Sequence, residues 1–110
     1  MALGYQALDS VTTGYNNTAL GYGTFGSTTG NNNIAIGANA GSTLTSGSNN
    51  IAIGAGVDVQ TATASNQLSI GNWIYGTGGN IGIGATNPTA KLEVNGTFKL
   101  GSAGTTANAA

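Results

Sequence analysis

The sequence predicts an all-β fold, a parallel β-solenoid of about five 17-residue turns, and three observations carry that expectation. A short motif recurs at a nearly fixed period, side-chain size alternates within it, and amides and glycines gather at one place in every repeat. The motif is a small residue, an aliphatic residue and Gly: Ala2-Leu3-Gly4, Ala19-Leu20-Gly21, Ala35-Ile36-Gly37, Ala52-Ile53-Gly54, Ser69-Ile70-Gly71 and Gly82-Ile83-Gly84. Its glycines lie 17, 16, 17, 17 and 13 residues apart, so the turns are regular as far as Gly71 and the last is short.

Each motif reads as a short strand. One residue before the Gly stand Leu3, Leu20, Ile36, Ile53, Ile70 and Ile83, and three before it Met1, Thr18, Ile34, Ile51, Leu68 and Ile81. Side chains alternate along a strand, so these two columns share a face. Their aliphatic members, Leu3, Leu20, Ile34, Ile36, Ile51, Ile53, Leu68, Ile70, Ile81 and Ile83, are expected to point inward as the structural core. The column between them holds only Ala, Ser and Gly, which implies close packing of the opposite face against a second backbone.

Corners come next. Four residues before the Gly stand Asn17, Asn33, Asn50, Gln67 and Asn80. Asn tolerates a left-handed backbone, and strands stacked about 4.8 Å apart would let each amide bond the identical amide above and below. Gly14, Gly30 and Gly47, a little upstream, are expected to supply permissive dihedrals for the same corner. The second side of each turn offers one or two apolar residues such as Leu8, Phe25, Leu44, Val57 or Ile74. Such a core is thin: burying an aliphatic side chain contributes about 1.5 to 3 kcal/mol, whereas ordering each residue costs about 1 to 2 kcal/mol of backbone entropy. Several chains packed flank to flank through the small-residue face would offset the deficit.

Composition narrows the function. Gly (20), Thr (16), Asn (14) and Ser (8) make up more than half of the 110 residues, while the only charged side chains are Asp9, Asp58, Lys91, Glu93 and Lys99, for a net charge of -1. Two Lys and no Arg cannot build a phosphate-binding surface, so no nucleic-acid partner is expected. Absence of His and Cys removes the usual general base, thiolate nucleophile and transition-metal ligands, and no enzyme activity, cofactor or metal is expected. No apolar run approaches the roughly 20 residues of a membrane span, and residues 1–5 lack the basic and apolar blocks of a signal peptide.

The units Thr18-Ala19-Leu20-Gly21-Tyr22, Asn33-Ile34-Ala35-Ile36-Gly37 and Asn50-Ile51-Ala52-Ile53-Gly54, joined by Gly-x-Asn-Asn corners, resemble the head repeats of trimeric autotransporter adhesins and related bacteriophage tail fibres. The resemblance covers residues 2 to about 100. It implies a left-handed parallel β-roll in each chain, an interlocked homotrimer, and attachment to a host-cell surface glycan or protein from an extracellular appendage or virion. Residues 79–96 are similar to the exit segment after such repeats, often upstream of a self-cleaving chaperone domain. The lack of a membrane anchor, heptad stalk or signal peptide favours the phage-fibre side and a piece of something longer.

The organisation expected is a repeat region over 1–84, an exit segment with short strands over 85–100, and a linker or frayed tail over 101–110. Pro88 cannot donate to an interior ladder and ends regular coiling. Asn95-Gly96 is a strong hairpin signal, and a three-residue loop over Asn95-Gly96-Thr97 would pair Val94 with Phe98, Leu92 with Leu100 and Glu93 with Lys99. Pairing of these strands with neighbouring chains is the alternative.

Several sharper motifs weaken on inspection. Gly21-Tyr22-Gly23-Thr24-Phe25-Gly26 matches the dinucleotide fingerprint, but no helix pattern follows it and no acid stands near the required spacing. Asp9, Asp58 and Glu93 lie in different turns without Asp-x-Asp spacing, and Gly76-Thr77-Gly78-Gly79-Asn80 lacks the Asp of calcium-binding solenoids. Thr13, Thr29, Thr45, Thr63 and Thr77 recur from turn to turn, which keeps an ice-binding solenoid as an alternative, although the neighbouring position is irregular. Tyr5 and Tyr22 occupy the same place in successive turns and, with Trp73 and Tyr75, are either receptor contacts or packing between turns and chains. A scaffold that only trimerises or spaces its neighbours is the remaining alternative.

Overall fold

The computed structural model describes residues 1–101. The expected tail therefore lies almost wholly outside the described residues. Eight strands form one sheet in chain order: β1 (Ala2–Leu3), β2 (Thr18–Leu20), β3 (Ile34–Ile36), β4 (Ile51–Ile53), β5 (Leu68–Ile70), β6 (Ile74–Thr77), β7 (Asn80–Ile83) and β8 (Leu92–Val94). β1 to β5 pair in parallel with each motif in register, Ala19 on Ala35 on Ala52 on Ser69. That is a β-solenoid of about four turns, one fewer than the motif count implies, and among the described residues it contains no helix.

The two faces of the sheet are reversed from expectation. The small column points into the coil: Ala19, Ala35 and Ser69 are fully buried and Ala52 is 1 % exposed. The opposite wall fills the interior with Phe25, Leu44 and Val59, partly buried Leu8 packs against the same cluster, and Val57 is buried nearby in the chain. With a Phe and a Leu reaching across so narrow a coil, little beyond a methyl group fits on the sheet side. The aliphatic columns consequently point outward: Ile34, Ile36, Ile51, Ile53, Leu68 and Ile70 are half-buried, while Leu3, Leu20, Ile81 and Ile83 are exposed. Side-chain alternation reports that two columns share a face, not whether that face is inside.

The corner amides are buried from Asn17 to Gln67, and they bond backbone in place of one another. Asn17 Oδ1 accepts from Asn33 N (2.9 Å), Asn33 Oδ1 from Asn50 N (2.8 Å), and Asn50 Oδ1 from Gln67 N (2.8 Å). The amide nitrogens of Asn17, Asn33 and Asn50 donate to the carbonyls of Gly30, Gly47 and Ala64 at 2.9 to 3.0 Å. The direct contact between corner amides, Gln67 to Asn50, is long at 3.4 Å. Left-handed backbone falls on the residue ahead of each corner amide, Asn16, Asn32, Asn49 and Asn66, with φ between 58° and 61°. Gly30 and Gly47 serve close approach and not dihedral freedom, since a Cβ at either would collide with a carbonyl of the next turn.

Gln67 ends this chain of bonds. Its longer side chain folds back onto its own loop, donating to the Thr61 and Ala64 carbonyls and accepting from Thr61 N, so it passes no acceptor onward. Beyond it the chain reverses: β6 pairs antiparallel with β5, and β7 antiparallel with β6. Gly78 and Gly79 form the two-residue loop between Thr77 and Asn80, with φ of 59° and 78°, the mirror-image turn that suits hairpin twist. The shortened 13-residue spacing is this hairpin, and Asn80 is half-buried with its amide on the Pro88 carbonyl (3.1 Å), outside the ladder.

The hairpin expected at Asn95-Gly96 does not form. Leu92–Val94 pairs in parallel with β7 instead, Asn95 N continues the ladder to the Ile83 carbonyl (2.9 Å), and residues 97–100 form no strand. Glu93, expected opposite Lys99, accepts from the Thr89 backbone and hydroxyl at 2.8 and 3.0 Å. The sheet thus continues from β7 to β8, which lies in the segment expected to carry short strands.

Candidate functional site

Two surface features remain once the interior is accounted for. The first is the outer face of the sheet. Every strand contributes to it, because the reversal at β6 preserves the alternation: Ile74 lies beside Ile70, Ile83 beside Ile74, and Val94 beside Ile83. Eight strands at about 4.8 Å make an aliphatic stripe roughly 34 Å long. Its ends are the barest, with Leu3 62 % and Leu92 53 % exposed, and Leu92, Val94 and Phe98 line a cavity of about 280 Å³ at one end. Solvent-facing apolar surface of this continuity marks an interaction site in a stable protein.

The second feature is aromatic. Tyr5 and Tyr22 follow the Gly in consecutive turns and stack, with ring centroids 5.8 Å apart and planes 12° from parallel. They are 73 % and 53 % exposed. Trp73 and Tyr75 are not brought to them. Trp73 is exposed in the turn between β5 and β6, and Tyr75 lies half-buried on β6, on the same side of the sheet as Ser69, with its hydroxyl donating to the Asn72 carbonyl at 2.7 Å. Of the four aromatic candidates, the structure brings Tyr5 and Tyr22 together.

Beside Tyr22 is a cleft that sequence reasoning missed. It measures about 300 Å³ and is lined by Gln6, Asp9, Ser10, Tyr22 and Asn39 among others. Gln6 and Asn39 each stand two residues after the motif Gly, a shared position that the repeat alignment contains. Both have left-handed backbone, with φ of 58°.

The remaining motifs take structural places. Phe25 of the Gly21–Gly26 segment is buried in the interior. Asp58 accepts from Thr43 N (3.0 Å) and Ser42 Oγ (3.2 Å). Thr29 and Thr45 each donate a hydroxyl to a carbonyl of the next turn at 3.3 Å, so these hydroxyls are engaged within the coil. Among the described residues no three or more Asp, Glu, His or Cys side chains gather as a metal site. No family model matches the chain, and neither the curated proteins nor the solved structures include a match to it.

Proposed function

We propose that the chain is a structural and adhesive segment of a homotrimeric fibre, of the tail-fibre or adhesin-head kind, acting outside the cell or on a virion to attach to a cell surface. The observation that supports this reading is the outward aliphatic stripe. A free coil would leave those side chains in water; three copies packed stripe to stripe would bury them along a shared axis, with about 1.5 to 3 kcal/mol available from each fully buried aliphatic. Repetition along the coil gives stiffness, and threefold copying lets weak surface contacts act together through effective concentration. The function is mechanical and needs no reacting group.

Light scattering at micromolar concentration tests the assembly, with three chain masses as the expected result and one chain mass as the contrary one. Cell attachment is tested separately, by fluorescently labelled chain on the surface of candidate host bacteria. A trimer that attaches to no cell leaves a spacing scaffold.

A further inference from the structure

We propose that the cleft beside Tyr22 is a binding site for a neutral pyranose sugar; the inference rests on the adhesive reading and names the chemistry of the contact. A pyranose presents an apolar face of C–H groups and a rim of hydroxyls. The cleft offers a complement to each. Tyr22 supplies a planar, partly exposed ring backed on one side by Tyr5 at 5.8 Å, which holds it in place. In the next two turns the same column carries Ala38 and Ala55, so no third ring covers the stack. Around it stand the Asp9 carboxylate, the Gln6 and Asn39 amides and the Ser10 hydroxyl, an acceptor-rich set of short polar groups suited to adjacent hydroxyls. The volume, about 300 Å³, is at the small end for ligand sites and suits a terminal sugar better than a peptide segment.

Charge selects among sugars. No Lys or Arg lines the cleft and Asp9 does, so acidic sugars are disfavoured. Position separates this site from the assembly surface. A contact required for chain packing recurs at every turn, as the aliphatic columns do, whereas a tyrosine follows the motif Gly in the first two turns only.

Saturation-transfer NMR on the assembled chain tests the proposal, with the methyl glycosides of galactose, glucose, mannose and N-acetylglucosamine, and N-acetylneuraminic acid, as probes at millimolar concentration. The expected result is transfer to at least one neutral glycoside and none to the acidic sugar. Tyr22→Ala abolishes the transfer, Trp73→Ala retains it, and Asp9→Asn weakens binding by roughly tenfold, the difference between a charge-assisted and a neutral hydrogen bond. Absence of transfer to every neutral glycoside overturns the proposal, as does transfer that survives in Tyr22→Ala. A trimer that attaches to cells yet takes up no sugar would defeat this inference and leave the adhesive reading intact; a monomer would defeat that reading by itself.

Discussion

Residues 34–37 and 81–84 are near copies, Ile-Ala-Ile-Gly and Ile-Gly-Ile-Gly, each preceded by Asn, yet the two segments sit in different surroundings. β3 lies between parallel neighbours, with Asn33 buried and bonded to the turn on either side. β7 lies between the antiparallel β6 and the parallel β8, and the Asn80 amide donates to the Pro88 carbonyl, outside the ladder. The motif itself therefore specifies a strand and the face each side chain takes. Stacking of successive 17-residue turns is a separate property, and from β2 to β5 it coincides with the run of amide-to-backbone bonds that Gln67 terminates.

Overfilling the interior should break this difference most severely. Ala35→Leu places three extra carbons where the facing wall already holds Phe25 and Leu44, and a loss of about 3 kcal/mol is expected from overpacking. Urea unfolding of the variant measures it. The next largest effect sharpens the comparison directly. Asn33→Ala leaves the Asn50 N–H and the Gly47 carbonyl without their buried partner and should cost about 2 to 3 kcal/mol, whereas Asn80→Ala should cost about 1 kcal/mol. Equal losses at the two sites would remove the amide ladder from the explanation of the coil. Smallest is a gain. Ser69 stands in the alanine column with a buried hydroxyl that has no partner among the described residues, so Ser69→Ala should add about 1 kcal/mol, read as a higher urea midpoint at unchanged slope.

These contrasts also show what the sequence makes legible. The period, the strands and the column membership follow from spacing alone, because each turn repeats the same positions. Which face is interior does not, since a stripe of Ile and Leu looks the same whether a coil or an assembly buries it. The width of the cavity decides, and that depends on Phe25 and Leu44, which stand outside the aligned motif. Asn95-Gly96 carries the stronger local turn signal, but Asn95 is held in the ladder beside Ile83, and tertiary pairing overrides local preference. Gly78-Gly79, between strand-like runs, was the usable hairpin signal. The Tyr5–Tyr22 stack was legible from their common position; the cleft was less so, because Asp9 and Ser10 share no column with Gln6 and Asn39.

The small column lies inside the coil, and the proposed assembly would cover the large columns. The chain has no Cys, so a thiol can be placed at one position at a time. Ala35→Cys and Ile36→Cys sit on adjacent residues and opposite faces, and the rate of reaction with a soluble thiol reagent across a dilution series reports on both. The account predicts that Ala35→Cys is protected at every concentration, whereas Ile36→Cys reacts quickly when dilute and slowly when concentrated. Protection of Ile36→Cys at all dilutions, or fast labelling of Ala35→Cys at any concentration, would contradict it.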